Sequence, residues 1–280
     1  MNPYFFRLLL CAAVGMLPAL HAHAEQAAGG RAAVRPDGFG TQLPQGFTKE
    51  LLLNQLAPGR DPARAVLTGA KPWPQRPGWY VAVACLAPNP ETAAQILKNH
   101  PSSCDAFRGN EENEIWFGVF EYSAGMTPRL IAKTETVLVD PHSDAAGGTQ
   151  DNTDDFPGSW LRFDLAPYQL REGDYAFGVR AMQFQGYAGG GASYESLYLL
   201  HIDGKSLRLV FSELMASEED IAGEWHKDGT RSHDISSSGS FLNVLPSMTD
   251  GFHDLQLRER HGKSRQTFHW SPSAKAYEAQ

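Results

Sequence analysis

Tyr187, Gly189, Gly190, Gly191 and Tyr194 combine backbone freedom with large amphipathic side chains. Glycine adopts positive φ at little cost, and tyrosine offers contact area with few rotatable bonds. This is the chemistry of recognition rather than of bond-making, so the segment Gly186–Tyr194 is expected to be a binding loop. Catalytic candidates are thinner. Gly191-Ala192-Ser193-Tyr194-Glu195 has glutamate where a nucleophile elbow needs its last glycine. Ser236–Ser240 reads as a flexible serine run, and His142-Ser143-Asp144 are merely adjacent, whereas triads assemble in space. If the chain cuts a glycoside, carboxylates such as Glu195, Glu213 or Asp254 are the candidates for acid and base. His226 and His233 are seven apart and His253, His261 and His269 eight apart, but no HExxH helix motif accompanies them. The candidate calcium ligands are Asp151, Asp154 and Asp155, beside Asp140 and Asp144. Asp151-x-Thr153-x-Asp155 alternates oxygens, yet Phe156 stands where the calcium loop of an EF-hand turns on glycine, and Arg162 where it closes on glutamate. Calcium apart, no cofactor is suggested.

A second motif lies near the C-terminus. Leu242-Asn243-Val244-Leu245-Pro246-Ser247-Met248-Thr249-Asp250-Gly251-Phe252-His253-Asp254-Leu255 resembles the end of an integrin-alpha-like β repeat, through Asp250-Gly251-x-x-Asp254-Leu255. Pro246 and Met248 occupy two ligand positions of that family's calcium loop and offer no hard oxygen, so calcium held in the family's way is not expected here. The resemblance implies a β architecture. It is also similar to exported bacterial β proteins of inhibitor or immunity type, which implies binding to another protein. The plain alternative is an Asp-Gly turn before a strand.

The elements that must position these residues are mostly strands. Thr48 caps a short helix over Lys49–Leu56, ended by Pro58-Gly59. Asn89-Pro90-Glu91 starts a second helix running to about Asn99. Trp79–Leu86, Ile115–Tyr122 and Pro128–Val139 read as strands from their β-branched and aromatic content, after an irregular proline-rich stretch through Pro72, Pro74 and Pro77. Leu161–Leu165, Tyr175–Phe184, Leu197–Ile202, Leu207–Phe211, Phe241–Leu245, Asp254–Arg258 and Thr267–Trp270 follow, with Asp203-Gly204 as a hairpin turn. The fold class is therefore mostly β, with many short antiparallel strands, propeller-like or sandwich, and two short helices in the N-terminal part. Three strand–turn–strand stretches, Phe117–Thr134, Leu197–Phe211 and Asp254–Trp270, are too irregularly spaced for a firm repeat. Trp79, Trp116, Trp160, Trp225 and Trp270 are expected mostly in the core.

Residues 1–24 read as a signal peptide: Arg7, an apolar stretch Leu8–Leu20, then Ala22-His23-Ala24 before Glu25. The stretch is short of the ~20 residues that span a bilayer. Leu8-Leu9-Leu10-Cys11 imitates a lipid-attachment box, but Leu10 is not small. A flexible arm over 25–46, an N-terminal part over 47–140 with the helix and disulfide, and an all-β part over 141–280 continuous with it complete the plan. The chain carries a formal charge of −8, which repels phosphate backbones and argues against nucleic acid as partner. After cleavage Cys85 and Cys104 remain as a pair, and in an oxidising compartment a disulfide is expected; the alternative is a catalytic or metal-binding thiol, which has no CxxC to support it. Taken together, the sequence is read as a periplasmic or secreted non-enzymatic binding or protective protein. Its expected partner is another envelope or secreted protein, in the manner of an inhibitor or immunity protein. The alternatives are a cell-envelope hydrolase using paired carboxylates, or a structural envelope protein.

Overall fold

The computed structural model describes residues 37–99, 104–105, 113–135, 159–187 and 189–280. The described residues fall within one compact unit. The chain is mostly β. Among the described residues thirteen strands are linked into one sheet, antiparallel at every junction except one, and two α-helices accompany it.

The strands are β1 (Ala65–Pro72), β2 (Trp79–Leu86), β3 (Cys104–Asp105), β4 (Glu114–Glu121), β5 (Arg129–Lys133), β6 (Ser159–Arg171), β7 (Asp174–Tyr187), β8 (Gly190–Asp203), β9 (Ser206–Trp225), β10 (Arg231–Thr249), β11 (Phe252–Glu259), β12 (Arg265–Ser271) and β13 (Ala276–Ala279). Following hydrogen-bonded neighbours gives β1-β2-β4-β5-β9-β8-β7-β6, with β3 on the far edge of β6. β5 meets β9 at a single parallel pair, Lys133 with Ser206. The two ends of this path are bridged by a segment that is not itself a strand. Phe163 N–H of β6 donates to Gly38 O at 3.1 Å, and Ala70 N–H of β1 donates to Gly40 O at 3.0 Å. The sheet thus curls until its ends meet across Gly38–Gly40.

The burial pattern follows from that curl. Val81, Val83 and Cys85 of β2, Ile115, Phe117 and Val119 of β4, Phe177, Val179 and Ala181 of β7, and Tyr198 and Leu200 of β8 fill one shared interior. They recur at period two because successive strand side chains point to opposite faces. The intervening residues are also buried, under two separate covers. α1 (Lys49–Leu56) lays Leu52, Leu53 and Leu56 over Ala82, Ala84, Leu86, Trp116 and Phe120. The meander β11–β13 lays Leu255, Phe268 and Tyr277 over Leu170, Leu197, Leu199 and Phe211. This explains why Leu197–Leu200 is an unbroken apolar run in an antiparallel sheet, where alternation is the rule.

Both expected helices are present. Thr48 accepts from Leu51 N–H at 3.1 Å at the start of α1, and Asn89 Oδ1 accepts from Thr92 N–H at 2.8 Å at the start of α2 (Pro90–Asn99). α2 drops Ala93 and Ile96 into the interior. The Cys85–Cys104 disulfide is formed, with Cα atoms 6.0 Å apart. No helix among the described residues is long and apolar enough to cross a membrane.

One expectation changes. Of the flexible arm expected over 25–46, residues 25–36 lie outside the described residues, and from Asp37 onward the chain is held by hydrogen bonds. The Asp37 carboxylate accepts from Gly40, Thr41 and Gln42 N–H, and Phe39 is buried in the interior. Burial alone would raise the Asp37 pKa, but these backbone bonds outweigh it and hold the carboxyl below its ordinary value. In the disulfide, Cys85 lies on β2 and Cys104 on β3 beside β6, so the bond crosses the line where the sheet's ends meet.

Candidate functional site

Four strands outgrow the core. β9 and β10 run 20 and 19 residues, β7 and β8 14 each. β6 stops pairing with β7 at Met182, and β11 pairs with β10 only from Ser240 onward. Beyond those points β7, β8, β9 and β10 continue as a four-stranded arm, in transverse rows fixed by register. One row is Gly186, Gly191, Asp220, Ile235; the next is Gln185, Ala192, Glu219, Ser236; the next is Phe184, Ser193, Glu218, Ser237. At about 3.3 Å per residue, the part of β9 from Leu214 to Trp225 is roughly 40 Å long.

The loop expected over Gly186–Tyr194 is the tip of this arm. Gly186 pairs with Gly191 and Tyr187 with Gly190, and the chain reverses at Gly189, whose φ is +98°. Gly189 O accepts from Ala222 N–H at 2.7 Å, tying the tip to β9. The glycines serve a ring rather than a mobile loop. A Cβ on Gly191 would stand 3.1 Å from Cζ of Phe184, and one on Gly186 would stand 3.4 Å from its Cε1. The Phe184 ring therefore lies along the bare backbone of two facing glycines, an arrangement that compensates glycine's poor strand packing. Tyr194 is half-buried on the opposite face, and its hydroxyl donates to Glu219 at 3.3 Å.

Sequence reasoning missed the apolar residues that this arm exposes. Among the described residues nine large hydrophobic side chains are exposed, and five of them, Phe184, Leu214, Ile221, Trp225 and Ile235, belong to the arm. Phe184 is 70 % exposed, and Trp225 and Ile235 are each 69 % exposed. Trp225 is thus no core residue, unlike Trp116 and Trp160. Arg231 lies 5.4 Å from its ring centroid and donates to Gly223 O and Ala222 O, which turns its charge inward across the strand. The signal available in sequence was the isolation of Ile221, Trp225 and Ile235 within acidic and serine-rich stretches.

At the base of the arm lies a groove of about 410 Å³ of mixed lining: Arg162, Arg180, Glu195, Met215, Ala216, Ser237–Ser240, Glu259, Arg260 and His261. Of the three carboxylates considered for hydrolysis only Glu195 lines it. Arg162 holds Glu195 at 2.7 Å, and Arg180 approaches it at 3.5 Å while pairing with Asp164 at 2.6 Å. Glu195 is thus tied by ion pairs to β6 and β7 at the wall of the groove. Asp254 is buried elsewhere, accepting from Thr249 Oγ1 at 2.8 Å and His269 Nδ1 at 3.0 Å. Burial would raise its pKa, but bonds from Ser247, Thr249 and His269 prevail and hold it below the ordinary value. Asp250 and Gly251, both at positive φ, form the two-residue turn between β10 and β11, the geometry of a tight hairpin.

Among the described residues no three His, Cys, Asp or Glu side chains gather as metal ligands. His233 pairs with Asp220 at 2.6 Å, His253 bonds Leu245 O, and His269 serves Asp254, so the histidines are dispersed. Asp151, Asp154 and Asp155 lie outside the described residues. No protein-family model matches the chain, and no curated protein or solved structure matches it either.

Proposed function

We propose that this is a non-enzymatic binding protein of the bacterial envelope that recognises another protein through the β7–β10 arm. The observation that carries the reading is the concentration of exposed apolar side chains on one projecting element, around Phe184, Ile221, Trp225 and Ile235. Large apolar groups left in water on an ordered framework mark contact surfaces, and aromatic residues dominate the energetics of such contacts. The residues singled out from sequence, Tyr187, Gly189, Gly190, Gly191 and Tyr194, all belong to the same arm. Export to an oxidising compartment is part of the proposal and agrees with the Cys85–Cys104 bond. The resemblance of 242–255 to an integrin-alpha-like repeat points the same way, as the inhibitor- or immunity-type reading would have it.

The test is site-directed photocrosslinking in whole cells, with the crosslinker at position 225 or 235 and, as control, at the exposed position 126, which is distant in sequence from the arm. The arm positions should trap a discrete protein adduct, and Phe184→Ser with Trp225→Ser should remove it while the fold is kept, the melting temperature falling by no more than about 4 °C. Adducts of equal yield from position 126, or turnover of cell-wall polymer that is lost in Glu195→Gln, would replace this reading with a structural or a hydrolytic one.

A further inference from the structure

We infer that the outer edge of β10, from Ser232 to Ser238, accepts an extended cationic segment of the partner protein as an added β-strand. This deepens the binding reading and rests on it. The argument begins with the lane beside β10. β11 occupies it from Phe252, opposite Thr249, to Glu259, opposite Ser240. Arg260 N–H then donates to Gly239 O at 2.7 Å, and the chain turns away through His261-Gly262. Beyond that point β10 continues from Ser238 back to Arg231, paired on its inner edge with β9 at Arg231 and from His233 to Gly239. Among the described residues no strand pairs with its outer edge. The sheet is thus prepared for one more strand, collinear with β11, over about 23 Å.

Natural sheets close such edges with proline, with lysine or with covering chain. Ser232-His233-Asp234-Ile235-Ser236-Ser237-Ser238 holds neither proline nor lysine. The nearby cation, Arg231, is spent inward on Gly223 O, Ala222 O and Trp225. Residues 233–238 are all exposed. An edge whose donors and acceptors meet no partner strand among the described residues, and which carries an exposed isoleucine, is the receiving side of strand addition, where main-chain bonds give affinity and alternate side chains give specificity.

Charge selects the occupant. Over residues 182–196 and 213–240 the arm carries eight carboxylates, among them Glu218, Glu219, Asp220 and Asp234, against two fixed cations, Lys227 and Arg231. A second copy pairing through this edge would bring two such fields together, whereas a basic strand is drawn in and oriented by it. Apolar residues alternating with the basic ones would reach Ile235.

The experiment uses the full mature chain and a defined probe: a fluorescein-labelled ten-residue peptide of alternating lysine and valine, followed by fluorescence anisotropy. Saturable binding is expected, weakened at least tenfold by Asp234→Lys with Ile235→Lys. The same peptide N-methylated at alternate residues keeps its charge but loses half its donors, and it should bind at least tenfold more weakly. Equal binding of the N-methylated peptide would reduce the effect to surface charge and overturn strand addition. Undiminished binding by the double variant would place the peptide elsewhere. A doubled mass in sedimentation, reverting to monomer in the double variant, would give the edge to a second copy. Retention of the crosslinked cellular partner by the double variant, together with its loss in the Phe184/Trp225 variant, would overturn this inference and leave the binding reading standing.

Discussion

Asp174 is the side chain that ties most of the molecule together at one point. Its carboxylate takes Arg76 at 2.9 Å, Arg171 at 2.8 Å and His201 at 2.9 Å, linking the turn before β2, the end of β6 and the last residues of β8 before its turn. Burial pulls its pKa upward, but the bonds and charges of His201 and Arg171 prevail and hold it at about 2, against an ordinary 3.8. The folded value is depressed, so its contribution is fully present above pH 3.8 and fades as pH falls towards 2. The displacement corresponds to about 2 kcal/mol. Asp174→Asn should therefore lower the melting temperature at pH 7 by about 4–8 °C, and the gap to wild type should close between pH 5 and pH 2. Calorimetry across that range checks it; a gap independent of pH would mean that the shape of the side chain matters and its charge does not. Nothing in the sequence marked Asp174, because its partners lie 98, 3 and 27 positions away. The residues that were legible, Thr48, Asn89, Asp203-Gly204 and Asp250-Gly251, act on their immediate neighbours, where spacing along the chain is spacing in space.

At the scale of elements the same distinction decides what could be foreseen. Trp79–Leu86 and Lys49–Leu56 are found with the expected boundaries, because each has a strong local pattern and a clear stop. β1 was hidden by the turn residues that follow it, and β8, β9 and β10 extend far past the apolar cores that announced them. Glu218-Glu219-Asp220 and Ser236-Ser237-Ser238 have weak strand propensity. They are strands because β9 is paired on both edges, to β8 and to β10, a long-range fact that no local window contains. One consequence concerns β10 alone. In a strand successive N–H groups point to opposite edges, so across Ser232–Ser238 every second amide bonds β9 and the others face the open lane. Hydrogen exchange should alternate along this segment, fast and slow, in free protein. Uniform protection over the seven residues would mean that the edge is already covered, and uniform rapid exchange that the arm is not formed.

The whole molecule is governed by how its sheet closes. Two junctions of the ring are thin: the single β5–β9 pair, and the Gly38–Gly40 bridge between β6 and β1. The bridge fits only because side chains are missing there. A Cβ on Gly38 would stand 2.3 Å from Leu161 O, and one on Gly69 2.4 Å from Phe39 O. The disulfide lies across the same closure, from β2, next to β1, to β3, next to β6. Both sulfurs belong to buried residues of the interior. Linking residues 19 apart restricts the unfolded chain by about 3 kcal/mol in the loop-entropy account. In this architecture the bond also holds two sheet ends that, among the described residues, the Gly38–Gly40 bridge secures with two backbone hydrogen bonds. Cys85→Ala with Cys104→Ala should therefore lower the melting temperature by about 6–12 °C. The loss should also be uneven: exchange should quicken first at Phe163 and Ala70, whose amides make the bridge, while amides of β11 and β12 stay slow until global unfolding. If exchange instead quickens evenly from β1 to β13, the bond acts on the unfolded chain alone and the closure stands without it.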